Sequence, residues 1–195
     1  MKRAALLWIV AVLVAGCGSS APHGIPSSLL RGVRPIGRGP RFEPPVRGPV
    51  TGACVAPLGD RLEAHVEVFG ADRVVLLPAG IGTRPPLELR DGRLTRASCF
   101  GDLVTLDPTG TVYFRPGRKL TLGDLFTAWG QPLTATRIAS FRAGTVRAFV
   151  NGRAVAGSPR RIVLTPHAEI VLEAGPWVPP HTRFSFSQAP PAGLG

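Results

Sequence analysis

The sequence predicts an α+β domain, mainly β, built from antiparallel hairpins around one central helix at about residues 121–129. Three observations predict it. Apolar and polar residues alternate with a period of two from Leu62 to Phe69. Turn-forming groups such as Asp107-Pro108-Thr109-Gly110 and Asn151-Gly152 separate short apolar runs. Only one segment carries a full set of helix start and stop signals.

Taken in order, Leu62, Ala64, Val66 and Val68 alternate with Glu63, His65, Glu67 and Phe69, the pattern of a strand with one buried face. Gly70-Ala71-Asp72-Arg73 turns it into a second strand, Val74 to Leu77, which Pro78 to Gly82 ends. Leu87 to Leu89 is a short piece before the Asp91-Gly92 turn, and Leu94 leads on towards Cys99. Leu103 to Leu106 and Thr111 to Phe114 flank the Asp-Pro-Thr-Gly turn as a hairpin. The helix follows: Thr121 is its N-cap, Asp124 its reciprocal partner, and Leu120 a staple for Leu125. Leu122, Leu125, Phe126 and Trp129 form its apolar stripe, while Gly130 and Pro132 stop it. Thr145 to Val150 and Arg153 to Ala156 join through Asn151-Gly152. Ile162 to Leu164 and Glu169 to Glu173 complete the strands. Trp177, Phe184 and Phe186, in a Pro-rich stretch, suggest packing back onto the body.

The N-terminus carries an address. Met1-Lys2-Arg3 is a positive start, Ala4 to Ala15 is an unbroken apolar run, and Val14-Ala15-Gly16-Cys17 closes it with small residues before a cysteine. The run is too short for a membrane span and has the make-up of a secretory signal. Val14 to Cys17 resembles the lipobox of bacterial lipoproteins, which implies acylation of Cys17 and loss of residues 1–16. Residues 17–50 then read as a lipidated tether rich in Pro, Gly and Arg, 51–188 as the β-rich domain and 189–195 as a tail. The expected localisation is extracytoplasmic, anchored by lipid to the cell membrane.

The formal charge is +11, and Lys2 and Lys119 are the only lysines, so arginine carries the excess. Such a balance favours anionic lipid head groups or wall polymers, and outside the cytoplasm nucleic acid is not expected as a partner. Membrane lipid, reached through the anchor, and an unknown envelope protein complete the expected partners. With Cys17 assigned to lipid, Cys54 and Cys99 remain, and an oxidising compartment predicts a disulfide between them.

Catalytic motifs are absent from the sequence. It holds no G-x-S-x-G elbow, no H-E-x-x-H and no phosphate loop, and Ser98 merely neighbours Cys99. Glu63, His65 and Glu67 share one face of a strand. That face is either a solvated outer surface or, with His167 from another strand, a set of ligands for a divalent transition metal.

Ala64 to Phe69, Val75 to Gly82 (VLLPAGIG), Thr121 to Leu133 (TLGDLFTAWGQPL), Phe149 to Gly152 and Pro166 to Ile170 together resemble a group of uncharacterised secreted or membrane-attached proteins, mostly from actinobacteria. The resemblance spans most of residues 60–185 and implies a metal site made of an H-x-H and an H-T-H-D…G-x-x-H segment. In this chain Glu63 stands at the first of those histidines and His65 at the second. Val104, Leu106 and Tyr113 occupy the later histidine positions, while Thr105, Asp107 and Gly110 match.

The expectation is therefore a non-enzymatic envelope lipoprotein, a binding or structural module without a cofactor. A metal-handling protein and a hydrolase assembled from distant loops are the alternatives.

Overall fold

The computed structural model describes residues 41–42, 48–71, 73–186 and 194; the expected leader, Cys17 and most of the expected tether lie outside these residues. The strands are β1 (Arg41–Phe42), β2 (Leu62–Gly70), β3 (Arg73–Leu76), β4 (Thr83–Arg84), β5 (Glu88–Arg90), β6 (Arg93–Arg96), β7 (Cys99–Phe100), β8 (Leu103–Thr105) and β9 (Thr111–Phe114). The helix α1 (Leu122–Trp129) follows, then β10 (Arg137–Ile138), β11 (Phe141–Arg142), β12 (Val146–Val150), β13 (Arg153–Ala154) and β14 (Glu169–Ala174). The α+β, mainly β architecture is the one the sequence predicts.

Strand β2 organises a mixed sheet of eight strands. One of its edges is shared between two antiparallel partners: β9 pairs with Leu62–His65, and β3 with Val68–Gly70. The other edge belongs to β14, which runs parallel, from Glu169 opposite His65 to Ala174 opposite Gly70. Beyond it β12 pairs antiparallel with β14, and β13 turns back on β12. Asn151 and Gly152 make that turn with φ of 50° and 77°, the left-handed pair that a two-residue hairpin requires. The parallel pairing was not expected from the hairpin pattern, because it joins segments about a hundred residues apart.

Helix α1 forms as its caps dictate. Thr121 Oγ1 accepts from the Asp124 amide, the Asp124 carboxylate accepts from the Thr121 amide at 2.8 Å, and Gly130 ends the helix with φ of 76°. Its stripe of Leu122, Leu125, Phe126 and Trp129 is buried with Ala64, Val66 and Val68 of β2 and with Ile170 and Leu172 of β14. Each such large side chain contributes about 1.5–3 kcal/mol by leaving water. Alternate residues of β2 thus face α1, and Glu63, His65 and Glu67 face the other way.

A second cluster gathers Phe100, Val104, Leu106 and Tyr113 with Leu58, Leu94 and Leu194. The predicted bridge is formed: Cys54 and Cys99 are disulfide-bonded with Cα atoms 5.2 Å apart. Beside it the Val55 and Phe100 amides and carbonyls bond reciprocally at 3.0 and 2.8 Å.

Three expectations are corrected. Ile162 to Leu164 is not a strand of the sheet; a 3₁₀ turn at Pro159–Arg161 delivers it beside the start of α1, where Val163 bridges Thr121 alone. The start of the fold precedes residue 51. Gly48 donates to the Ala128 carbonyl at 3.1 Å, and Arg41–Phe42 lie along the open edge of β3, so part of the expected tether belongs to the body. At the other end, Leu194 is buried and its carbonyl accepts from Leu58 at 3.0 Å, so the expected tail is not wholly free of the domain. Among the described residues, no helix is long and apolar enough to cross a membrane.

Candidate functional site

The face of β2 turned away from α1 is covered rather than solvated. Glu63 is 7 % exposed and His65 2 % exposed. Two segments close over them. The first is the Asp107–Gly110 turn, which Asp107 shapes by accepting from the Thr109 amide at 3.1 Å. Gly110 makes the close approach possible. It has φ of +90°, and a Cβ there would lie 2.6 Å from the Val66 carbonyl oxygen and 2.9 Å from His65 Nε2. The second is the C-terminal strap that follows β14, in which Phe184 stacks flat on the His65 ring at 3.7 Å between centroids and 7° between planes. Phe186 meets Phe184 edge-on and lies 5.0 Å from His167.

Beneath this cover the sheet register sets Thr111, His65 and Glu169 in one row across β9, β2 and β14. Both nitrogens of His65 are engaged. Nε2 lies 2.7 Å from the Thr109 carbonyl, which can only accept, so Nε2 carries the proton. Nδ1 faces Glu169 Oε2 at 2.8 Å, a contact that needs a shared proton or another positive charge between its two atoms. Burial pushes the Glu169 carboxyl above its ordinary range, and the His65 contact pulls it partly back. Its second oxygen, Oε1, is buried and has no hydrogen-bond partner. Next to this pair, Glu67 receives His181 of the strap, whose Nδ1 lies 2.7 and 2.8 Å from the two carboxylate oxygens.

The ligand atoms that converge among the described residues are those of His65, Glu67 and Glu169, all within 4.8 Å of one another. The predicted set is therefore divided. His65 and Glu67 come together, whereas Glu63 and His167 adjoin each other, the His167 amide donating to the Glu63 carbonyl at 2.7 Å. The Glu63 carboxyl is raised by burial, and one of its oxygens is unpartnered.

Sequence reading missed Glu169 and His181. A signal existed for the first, since Glu169 and Glu173, four residues apart, share one face of an otherwise apolar strand. None existed for His181, which reaches the site by the path of the strap alone.

The metal site implied by the resemblance does not fit this chain. Val104, Leu106 and Tyr113, at its histidine positions, are 0, 2 and 4 % exposed and pack in the second apolar cluster, and valine and leucine offer a metal no ligand atom. Ser98 is likewise no nucleophile in waiting: its hydroxyl donates to the Pro85 carbonyl. Compared with protein-family models, curated proteins and solved structures, the chain has no match.

Proposed function

We propose that this chain is an exported lipoprotein, anchored through Cys17, whose β-rich domain acts as a non-enzymatic binding or structural module of the cell envelope. The observation that carries the reading is the Cys54–Cys99 bridge. Of the three cysteines it consumes two, leaving Cys17 as the one thiol for acylation, and bridges of this kind persist in oxidising compartments. The closed polar face agrees with it. Its histidines and carboxylates pin the strap and the Asp107–Gly110 turn onto the sheet, which suits a rigid scaffold. The basic residues Arg31, Arg34 and Arg38 lie in sequence between Cys17 and the first strand, where anionic head groups or wall polymers would meet them.

The test is metabolic labelling with a palmitate analogue, followed by membrane fractionation, of the wild type and Cys17→Ser. The wild type is expected to take up label and to sediment with membranes. The variant is expected to lose the label and leave the membrane fraction. An unlabelled wild type, or a variant that stays membrane-bound, would sink the anchoring proposal.

A further inference from the structure

We infer that His65, Glu67 and Glu169, joined by His181 of the strap, form a binding site for a divalent transition metal ion such as Zn²⁺. The proposal goes beyond the anchored-module reading and does not depend on it. The hydrogen bond from His65 Nε2 to the Thr109 carbonyl leaves Nδ1 as the ring atom able to bind a metal, and it aims Nδ1 at a carboxylate. This is how proteins fix a metal-binding histidine: the distal N–H is held by a backbone carbonyl, setting tautomer and ring angle. Phe184 stacked on the ring adds a second restraint.

The charges ask for a cation. Among the described residues, the ion-pair partners of Glu169 and Glu67 are His65 and His181. Glu169 is 1 % exposed, and its Oε1 is unpartnered. A metal ion would take the place of the shared proton between Nδ1 and Oε2. Ideal bonds of about 2.0–2.2 Å from Zn²⁺ to imidazole nitrogen and carboxylate oxygen put two such ligand atoms about 3.3 Å apart in a tetrahedron. The observed 2.8 Å contact would thus have to widen by only about half an ångström to admit the ion. Glu67 supplies the third ligand, and His181, bonded to Glu67 but outside that group of three, would supply a fourth by turning from the carboxylate to the ion. Imidazole nitrogens with carboxylates suit Zn²⁺ and its neighbours better than Mg²⁺ or Ca²⁺, which prefer oxygen alone.

The experiment uses the full chain, untagged, oxidised and stripped with chelator. Co²⁺ is titrated in as a coloured stand-in for Zn²⁺, and Zn²⁺ is then used to displace it. One equivalent of Co²⁺ with a tetrahedral-type visible spectrum is expected. Both Glu169→Gln and His181→Ala should weaken binding at least tenfold. His167→Ala, outside the ligand group, should leave it unchanged. His181 is partly exposed, so its variant tests the site even where Glu169→Gln fails to fold. No uptake by the wild type at millimolar Co²⁺ would overturn the proposal. So would unaltered affinity in a folded Glu169→Gln or in His181→Ala, or an equal loss in His167→Ala. Such a result would leave the lipid-labelling outcome untouched.

Discussion

Truncating Phe184 to alanine should loosen the C-terminal strap measurably. Phe184 is half-buried and stacked on His65. Losing the stack removes about 1 kcal/mol. Losing half the burial of a phenylalanine removes about 1 kcal/mol more. The strap should therefore open more often by about 2 kcal/mol, which is about 30-fold in population. Arg183, exposed and next in sequence, provides the readout. Trypsin needs a locally unfolded segment, so cleavage after Arg183 tracks the open population when opening and closing outpace cutting. The released C-terminal fragment would be followed by mass spectrometry, with rates normalised to those of the denatured chains. Phe184→Leu, which keeps most of the apolar area but not the stack, should show about a 5-fold rise. Equal rates in all three proteins would refute the view that the His65–Phe184 contact holds the strap.

Two further outcomes follow from the packing. Replacing both Cys54 and Cys99 by serine frees a loop spanning 45 residues and should cost about 4 kcal/mol by loop closure. The melting temperature should then drop by about 8–16 °C, and a fall under about 3 °C would show that the bridge restrains little. The second outcome concerns Glu173, fully buried with one oxygen on Arg147 at 3.1 Å and the other unpartnered. Burial raises its carboxyl above 4.5, partly offset by Arg147 and by the Val178 backbone, so the folded state holds the proton more tightly than the unfolded chain. Stability from this group is therefore full below the unfolded value and declines as pH rises through the folded one. Glu173→Gln lacks the titration, so urea midpoints should move in favour of the variant as pH rises from 4 towards 7. A difference constant with pH would remove the basis of that account.

What the sequence disclosed was local, and what it concealed was distant. The helix was legible because Thr121, Asp124 and Gly130 state its ends within ten residues. The hairpins at Thr109-Gly110 and Asn151-Gly152 were legible because turn chemistry is confined to the turn. The parallel union of β2 with β14 has no local signature, and with it went the meeting of His65 and Glu169. Glu63, His65 and Glu67 were readable as one face of one strand. Whether that face met water depended on Phe184 and His181, delivered by a Pro-rich stretch with no periodicity to read. The same distance hid the fate of Val104, Leu106 and Tyr113, which only the folded cluster shows to be core.

The place of β14 beside β2 sets an order for folding. The central strand cannot gain its second neighbour until residues 169–174 are available, so a chain emerging from its N-terminus holds β2 with one bare edge until almost all of it has been made. Pairings this far apart in sequence close slowly, and bare apolar edges invite association with other chains. Late closure of this pairing would suit the export proposed for the chain.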